Sequence, residues 1–518
     1  MNVIEQQNTA QFEVEAINRR DRQTPLYAAR QKIHPKRAEG TFRRLKWLVM
    51  FVTLGIYYAA PWLRWDRGPY APDQAILVDL YHRRFYFFFI EIWPQEFYYV
   101  AGLLVMAGVG LFLVTSSVGR AWCGYTCPQT VWVDLFLWVE RFVEGDRNAR
   151  IKLDAAPWSA AKVARRTVKH ATWLAISVAT GGAWIFYFAD APTLARDVVS
   201  GTAPGIAYMT IAVLTSTTYV LGGFMREQVC IYMCPWPRIQ AAMLDENSLT
   251  VTYNDWRGEP RSRHAKKMAA EGRPIGDCVD CNACVVVCPM GIDIRDGQQL
   301  ECITCALCID ACDGIMDKLG RERGLISYAT LADYNRNMAI AAPAGTIDPT
   351  IARDGEGRLN SSFRKTTWRS ILRYRTGLYF AVWALIGLVM LYALMHRSRL
   401  DINVLRDRNP VFVQLSDGSI RNGFTVKILN MMPEPRTIGI SLDGLPAAQM
   451  TLADSSQGPS NLLFFEAEPD KLKVVKVFVR ADPDILGNGS HDFSFVAQDM
   501  TGSETARYAA KFETGRNQ

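Results

Sequence analysis

The sequence has no cysteine outside short-spaced groups: all 12 lie between residues 123 and 312. It is also poor in charge, with 21% charged residues among 518 against 49% hydrophobic ones, and several apolar runs approach twenty residues. This balance excludes a disordered chain and argues against a purely soluble enzyme. Residues 1–40 are polar and contain neither an apolar core nor a small-residue cleavage site, so no secretory signal is expected.

Other features that the sequence lacks exclude further kinds of function. The basic excess is small, 58 Lys and Arg against 51 Asp and Glu, and it clusters beside apolar runs, where it orients membrane helices; we expect no nucleic-acid partner. Six scattered histidines offer no facing pair for haem, and no nucleophile triad, phosphate-binding loop or paired acid and base stands out. A disulfide framework suits small extracellular domains rather than this long chain. The cysteines are therefore predicted to be ligands.

Five stretches are long and apolar enough to cross a bilayer, which predicts five membrane helices. Lys and Arg are abundant in residues 1–46, 115–169 and 225–375 but sparse in 64–95 and 190–203. The positive-inside rule then places the N-terminus and the 225–375 block in the cytoplasm, and the C-terminal part in the periplasm, of a multi-pass bacterial inner-membrane protein. The predicted spans are residues 45–63, 96–115, 170–189, 203–224 and 377–395.

Two further apolar segments are too short or too polar to span. Residues 131–142 place apolar side chains opposite Asp134 and Glu140, which predicts an amphipathic helix on the inner membrane surface. Residues 85–93 contain three consecutive phenylalanines and Glu91, and are interpreted as an interfacial or re-entrant segment.

Beyond Arg399 the periodicity changes to that of strands. Apolar residues alternate with others along 424–428, 475–479 and 493–495, and Asp-Gly and Gly-Asn-Gly sequences supply turns. About 110 residues of short strands predict an immunoglobulin-like β-sandwich, without the Cys, Trp, Cys spacing of true immunoglobulin domains. The lack of cysteine here agrees with an oxidising compartment.

Eight cysteines form two runs with the spacing of bacterial two-cluster ferredoxins. Each run wraps three thiolates around one cubane and takes the fourth ligand from the other run. The first run ends in Cys288-Pro289, whereas in the second Cys312 precedes Asp313 and Gly314, where glycine would make the turn. A zinc site of two CxxC pairs would leave four thiolates without a role. The spacing assigns one four-iron cluster to Cys278, Cys281, Cys284 and Cys312, and the other to Cys302, Cys305, Cys308 and Cys288.

A second motif, CxxxCP, occurs twice, after the second and the fourth predicted spans, and each copy follows an arginine, Arg120 or Arg226. The duplication predicts two helical hairpins that bring four soft thiols to the same depth. Copper, a third iron-sulfur cluster or a reversible dithiol pair all fit these thiols; the alternative is four small interfacial residues with proline ending a turn. We predict that the metal-binding and catalytic residues are Cys123, Cys127, Cys230 and Cys234.

Together these features predict a multi-domain membrane protein. Its parts are an α-helical membrane bundle of about five spans, an inserted two-cluster ferredoxin-like α+β module and a C-terminal all-β immunoglobulin-like sandwich. The predicted boundaries are residues 1–44 for a cytoplasmic N-terminal segment, 45–245 for the membrane domain with four spans, 246–362 for the cytoplasmic iron-sulfur domain, 363–399 for the fifth transmembrane helix and 400–518 for the periplasmic sandwich.

This order of parts resembles the FixG/RdxA/CcoG type of cytochrome oxidase accessory protein over nearly the whole chain. The resemblance rests on the paired CxxxCP motifs, the eight-cysteine run, a further span and a β-rich tail. It implies two [4Fe-4S] clusters and a role in assembling the cbb3-type terminal oxidase, by reducing Cu(II) to Cu(I) before copper insertion. Oxidase assembly factors or copper chaperones would be the partners, with an electron donor that the sequence does not identify.

Two other functions fit parts of the sequence. A respiratory subunit would carry electrons between quinol and a partner, although no sequence feature identifies a quinol pocket. A non-redox copper chaperone or scaffold would use its clusters only structurally, and eight thiolates in ferredoxin order argue against that role, since ferredoxin clusters have low, useful potentials. We therefore favour a metal reductase.

Overall fold

The structure, a computed structural model, describes residues 32–343, 345–353, 358–432, 434–453, 458–469, 471–487 and 489–515. The predicted N-terminal segment, residues 1–44, is thus described only from residue 32 onwards.

A helical domain forms the first part of the described chain. Within the described residues, four helices are long and apolar enough to cross a membrane: Thr41–Trp62, Pro94–Val118, Gly205–Met225 and Tyr374–Met395. Each overlaps a span predicted from the sequence, which is consistent with a membrane protein. The helices of this domain are, in chain order, α1 (Thr41–Ala59), α2 (Tyr98–Val118), α3 (Ala121–Tyr125), α4 (Pro128–Glu144), α5 (Arg147–Ala155), α6 (Ala160–Thr180), α7 (Ala191–Ser200), α8 (Gly205–Tyr219) and α9 (Trp236–Met243).

The remaining predicted span, residues 170–189, corresponds to the second half of α6 and the 3₁₀ turns that follow it. α6 is less apolar than the four helices above because its first half carries four basic residues. In the middle of α6, Lys169 pairs with Glu144 at the end of α4 (3.0 Å). Beyond the end of α6, the hydroxyl of Tyr187 donates to the carbonyl oxygen of Tyr57 near the end of α1 (2.7 Å). A fifth membrane span stays a prediction.

α4 has the predicted amphipathic pattern, but its acidic residues do not face outward as the prediction had it. Asp134 and Glu140 are 4% and 2% exposed, whereas Phe142 is 81% exposed. Asp134 accepts two hydrogen bonds from the guanidinium of Arg43 on α1, at 2.7 and 2.8 Å. A buried carboxylate is tolerated only with such a partner, so the acidic face of α4 is an internal surface that binds other helices.

Glu140 holds cations from three different elements. It accepts from Arg150 of α5 (2.7 Å) and from Arg226, which follows α8 (2.6 Å), and Lys169 of α6 lies 3.8 Å away. Burial alone would raise its pKa, but Arg226, Arg150 and Lys169 bring the pKa of Glu140 down to about 2. The charge of Glu140 therefore joins α4, α5, α6 and the end of α8.

Three short antiparallel strands lie between α1 and α2: β1 (Ile76–Asp79), β2 (Arg84–Phe87) and β3 (Ile90–Ile92). Phe85 pairs with Ile92 across β2 and β3. The segment predicted to be interfacial or re-entrant is therefore a β-hairpin, because its aromatic and branched residues favour strands.

The ferredoxin-like module follows α9 and has the predicted α+β character. Its two strands, β4 (Thr250–Tyr253) and β5 (Ile326–Ala329), pair antiparallel. Its helices are α10 (Asp255–Gly258), α11 (Ala265–Ala270), α12 (Ala283–Val287), α13 (Leu307–Lys318) and α14 (Leu331–Ala341).

The module is fixed to the helical domain at the first turn of α1. The carboxylate of Asp310 on α13 accepts hydrogen bonds from the backbone N–H groups of Phe42 and Arg43, at 3.1 and 2.7 Å. Gly40 packs on the same side chain, and a Cβ at Gly40 would lie 2.3 Å from it. Unpaired N–H groups and the positive end of the helix dipole stabilise a carboxylate at this position. Asp310 therefore orients the module on α1.

α15 (Tyr374–Met395) leads from the module to the C-terminal domain. Before its first turn, Arg373 contacts Asp245 at 2.6 and 2.7 Å, on the side of the module. After its last turn, Arg397 donates to Glu96 before α2 (2.8 Å). The module and the C-terminal domain lie at opposite ends of the helical domain, as the charge pattern predicts; which end faces the cytoplasm stays a prediction.

The C-terminal domain is an immunoglobulin-like sandwich of two antiparallel sheets. Its elements are β6 (Leu400–Arg406), β7 (Val413–Gln414), β8 (Ile420–Asn430), β9 (Arg436–Asp443), β10 (Gln449–Leu452), β11 (Leu462–Ala467), β12 (Leu472–Ala481), α16 (Pro483–Leu486), β13 (Ser490–Asp499) and β14 (Thr505–Glu513). The strand order is β10-β12-β8-β6 in one sheet, where β7 also pairs with β8, and β11-β9-β13-β14 in the other. Phe424, Val426 and Ile428 are fully buried between the sheets, which agrees with the alternation in the sequence.

Replacing Glu140 with glutamine should leave Arg150, Arg226 and Lys169 buried without their shared anion. Because breaking a buried ion pair costs about 3–5 kcal/mol, we expect a lower apparent Tm of the detergent-purified protein in thermal unfolding. Glu39→Gln is the matched control, since the side chain of Glu39 is 78% exposed. Equal Tm values for the two variants would contradict the role of Glu140.

Candidate functional site

The structure brings together the first set of cysteines predicted to share a cluster, here called group A: Cys278, Cys281, Cys284 and Cys312. Three lie before and within α12, and the fourth lies on α13. Burial, then the neighbouring Cys284 and Cys278, raise the pKa of Cys312 above its usual range, and Cys281 adds to the shift. Cys312 therefore stands beside the three thiols of the other run, the neighbourhood that crossed ligation requires.

The second set, group B, is also assembled from both runs: Cys288, Cys302, Cys305 and Cys308. Burial and the neighbouring Cys305 raise the pKa of Cys288 to about 12, and Cys302 adds to the shift. Burial, then Cys305, Cys302 and Cys288, raise the pKa of Cys308 well above its usual range. The fourth thiol again comes from the other run.

The two runs end in different local structures. Cys288 directly follows α12, and Pro289 comes next, whereas Cys312 lies inside α13, which continues through Gly314 to Lys318. The prediction that Gly314 makes a turn is wrong. The helix places Cys308 and Cys312 four residues apart, on one face, so α13 presents one thiol to group B and one to group A.

Group C consists of the four CxxxCP thiols: Cys123, Cys127, Cys230 and Cys234. Burial raises the pKa of Cys123 to about 11, with Arg120 opposing the shift and Cys127 and Cys234 adding to it. Burial, then Cys127, Cys123 and Cys234, raise the pKa of Cys230 to about 12. The duplicated motifs therefore meet.

Different backbones carry the two halves of group C. One pair lies on α3 and directly before α4, and the other lies in and just after the π-helical segment Val229–Met233. The thiol of Cys123 donates to Oε1 of the buried Gln240 (2.9 Å). Single π-helical turns often occur at functional sites.

Group B lies between the other two groups. One half of it packs in the same hydrophobic cluster as group A, and the other half packs in the same cluster as group C. The thiols therefore form a row in the order A, B, C. The shared members are Cys302 and Cys308 on the side of group A, and Cys288 and Cys305 on the side of Cys123 and Cys230 of group C.

The structure gathers four thiols from two runs in each of groups A and B. In an iron-sulfur cubane each iron takes its own thiolate, so four thiols serve one four-iron cluster. Buried thiols keep their protons until a metal replaces them, and groups A and B fit one four-iron cluster each.

The two arginines that precede the CxxxCP motifs are not equivalent. Gly119 and Arg226 occupy the matching positions, four residues before the first cysteine of each motif, and both have positive φ, 63° and 42°. Arg226 sends its guanidinium to Glu140 and to its own helix. Arg120 instead lies beside group C. The repeated arginine of the sequence is thus not a structural repeat.

Gly124 and Tyr125 hold α3 against group B, a role that cysteine spacing alone does not predict. A Cβ on Gly124 would lie 2.7 Å from the carbonyl oxygen of Ile303. The hydroxyl of Tyr125 donates to the carbonyl oxygen of Cys305 (3.2 Å). The sequence feature that could have predicted this contact is the glycine between the two motif cysteines, because glycine lets another backbone approach closely.

The fold and the thiol groups define an iron-sulfur protein whose apolar helices are consistent with a membrane location. Family models match three parts of the chain: a 4Fe-4S dicluster domain over residues 225–331, a 4Fe-4S binding domain over 100–144, and the immunoglobulin-like fold at the C-terminus of FixG over 390–515. The chemistry of such domains is electron transfer.

Relatives of similar length identify the family. The chain is 65% identical to "Nitrogen fixation protein FixG" of Rhizobium meliloti (strain 1021), over 97% of this chain and 96% of that protein. It is 54% identical to "Protein RdxA" and 56% identical to "Protein RdxB" of Cereibacter sphaeroides, over 83% and 82% of this chain and 86% and 87% of those proteins. The chain belongs to the FixG/RdxA family.

Among solved structures, a FixG-related protein from Vibrio parahaemolyticus aligns with 23% of this chain and 97% of its own, at 20% identity and a TM-score of 0.19.

Crossed ligation makes opposite predictions for two serine variants. Cys312→Ser should lose the cluster of group A, and Cys288→Ser that of group B, each with about four iron atoms. Iron analysis and EPR of the dithionite-reduced full-length protein measure both losses, and the remaining cluster is the internal control. Loss of the group B signal in Cys312→Ser with group A intact would refute the assignment.

Gly124→Ala should push α3 away from Ile303, because the added Cβ would lie 2.7 Å from a backbone carbonyl oxygen. We expect a chelator to remove iron from group B faster than in the unmodified protein, and to remove iron from group A at an unchanged rate. Gly314→Ala is the control, since a Cβ at Gly314 meets nothing within 4 Å. Equal chelation rates in both variants would show that the contact at Gly124 does not protect group B.

Proposed function

We propose that this protein passes electrons through its iron-sulfur clusters to reduce Cu(II) to Cu(I), and that the Cu(I) serves the assembly of a cbb3-type cytochrome c oxidase. The observation that supports the proposal is the row of thiol groups A, B and C. Two ferredoxin clusters in contact with a further set of soft ligands form a path with two ends.

The two ends differ in accessibility. Cys281 of group A is exposed, which leaves one cluster open to an electron donor from solution. Group C lies at the ends of α2 and α8, where the helical domain meets the module. Electrons would enter at group A and leave at group C.

Copper is the electron acceptor that suits the four thiols of group C. Cu(II) takes one electron from the reduced clusters and becomes Cu(I), so no bond is broken and no proton is moved. Thiolates are soft ligands that favour Cu(I) over Cu(II), and soft ligands at the exit therefore increase the driving force. Oxidase assembly factors or copper chaperones at the inner membrane would take the Cu(I) from group C, at the end of the helical domain that meets the module.

The double variant Cys127→Ser/Cys234→Ser tests the exit. Its ferredoxin ligands are intact, so clusters A and B should assemble, yet Cu(II) should no longer reoxidise them at the normal rate. The measurement is stopped-flow bleaching and recovery of cluster absorbance under anaerobic conditions. Tyr232→Phe, at an exposed residue between the second pair of cysteines, is the control. Normal reoxidation by Cu(II) in the double variant would overturn the assignment of group C as the exit.

A cavity favours one second candidate, a respiratory electron carrier that takes electrons from quinol. An apolar cavity of about 580 Å³ lies between the ends of α1 and α2 and the module, and Tyr125 and Tyr328 line it. A cavity of this size suits a small apolar ligand. Reduction of the clusters by a soluble quinol analogue in the absence of copper, and its loss on filling the cavity with Val114→Trp, would favour this second function.

A further inference from the structure

A cavity of about 690 Å³ lies beside the first turns of α1 and the second half of α4. Its lining, all within the described residues, contains four arginines and one acidic residue, Glu39, whose side chain is 78% exposed. The volume is in the range of small-ligand sites. The arginines are Arg37, Arg43, Arg44 and Arg141. This excess of positive charge favours an anionic ligand.

Protein carboxylates neutralise only part of this charge. Arg43 pairs with the buried Asp134 (2.7 Å), and Arg37 lies 3.3 Å from Glu39. Arg44 is exposed, and among the described residues no carboxylate pairs with it. At least one guanidinium of the cavity is therefore available to a ligand.

Arg141 is the second guanidinium with unused donors. Its side chain is 13% exposed, and its Nε has no hydrogen-bond partner among the described residues, since the nearest carboxylate oxygen, on Asp146, is 4.0 Å away. Its Nη2 makes only long hydrogen bonds, to the carbonyl oxygens of Pro35 (3.4 Å) and Lys36 (3.5 Å). Buried polar groups normally have partners, so Arg141 indicates an anion in the cavity.

An aromatic row leads from the cavity to the apolar surface of α1. Phe142 stacks on Trp138 at 5.9 Å between ring centroids, Trp138 meets the ring of Trp47 edge-on at 6.4 Å, and Trp47 stacks on Phe51 at 5.5 Å. Phe51 is exposed and lies within the apolar helix Thr41–Trp62. Tryptophan is enriched where a membrane meets water. The arginines thus lie where a membrane-facing surface ends.

We propose that this cavity binds the phosphate headgroup of an anionic phospholipid, with the acyl chains lying along Trp47 and Phe51. Guanidinium groups bind phosphate oxygens through paired hydrogen bonds. Basic pockets between membrane helices on the cytoplasmic side bind anionic headgroups, and the charge pattern predicts that this end of the helical domain faces the cytoplasm. A soluble phosphate would use the arginines but not the aromatic row, so the row favours a lipid.

The bound headgroup would join two helices at the point where the module is attached. Arg44 lies on α1 and Arg141 on α4, and a phosphate between them would bridge the two helices. The backbone N–H of Arg43, the residue before Arg44, donates to Asp310 of the module (2.7 Å). An anionic lipid should therefore raise the Tm of the detergent-purified protein, and a zwitterionic lipid with the same acyl chains should raise it less.

Native mass spectrometry of the full-length protein in detergent tests the site. Phosphatidylglycerol should bind more tightly than phosphatidylcholine with the same acyl chains. Arg44→Gln should weaken phosphatidylglycerol binding about fivefold, and Arg44→Gln/Arg141→Gln by a further factor of about five, because each arginine near an anionic surface contributes about that much. Arg165→Gln is the matched control, since Arg165 is an exposed arginine of α6 that does not line the cavity, and it should change binding little.

Three results would overturn the proposal. One is equal binding of phosphatidylglycerol and phosphatidylcholine. Another is an equal loss of binding in Arg44→Gln and Arg165→Gln; the exposed position of Arg44 keeps this comparison available if the double variant does not fold. The third is retention of glycerol phosphate, the soluble headgroup, with the affinity of phosphatidylglycerol, which would show a soluble phosphate site instead. Lipid binding needs neither cluster nor copper, so these results leave the proposed electron path unaffected.

Discussion

A four-iron cluster needs four thiolates, and no single segment of this chain brings four of them to one place. The three-residue spacing of each ferredoxin run supplies three ligands, and the CxxxCP motif supplies two. Every group must therefore close with cysteines from a distant segment, and the fold is built around these closures. α13 serves two groups at once, with Cys308 and Cys312 on one face. Gln129 of α4 donates to the backbone that follows α8 and so brings the two halves of group C together.

The same requirement explains why several direct contacts fix the module to the helical domain. Asp310 binds the first turn of α1, Gly124 packs on the backbone of Ile303, and Tyr125 bonds the carbonyl oxygen of Cys305. These contacts lie within a few residues of the cysteines, so the elements that place the ligands also seal the interface. On the other side of the interface, Glu140 gathers Arg150 and Arg226 and keeps the backbone before Cys230 in place.

Sequence periodicity and spacing predict the parts of this fold in which each residue repeats a simple local rule. Alternation at Phe424, Val426 and Ile428 predicts the sandwich, and cysteine spacing predicts which thiols stand together. Periodicity and spacing do not predict the parts of the fold that depend on contacts between distant segments. Glu140 follows the pattern of an outward-facing acidic residue, yet cations from three elements make its buried position favourable.

The local pattern is ambiguous where two features share one signal. Aromatic residues around Phe85 suit a membrane surface and a strand equally; pairing with Ile92 shows the strand, and an interfacial position stays a prediction. Arg120 and Arg226 each precede a CxxxCP motif and look like copies of one position in the sequence. The structure shows that Gly119, not Arg120, matches Arg226, because these two residues share a positive φ four residues before the first cysteine.

The central claim is that the thiols of groups A and B hold two neighbouring clusters at one end of the electron path, and the magnetic coupling between the reduced clusters tests it most directly. EPR of the fully reduced full-length protein at two microwave frequencies separates coupling from g anisotropy. The account predicts that the signals of groups A and B split each other, and that Cys312→Ser, which removes a ligand of group A, leaves an unsplit group B signal. A group B signal that is identical in the unmodified protein and in this variant would contradict the account.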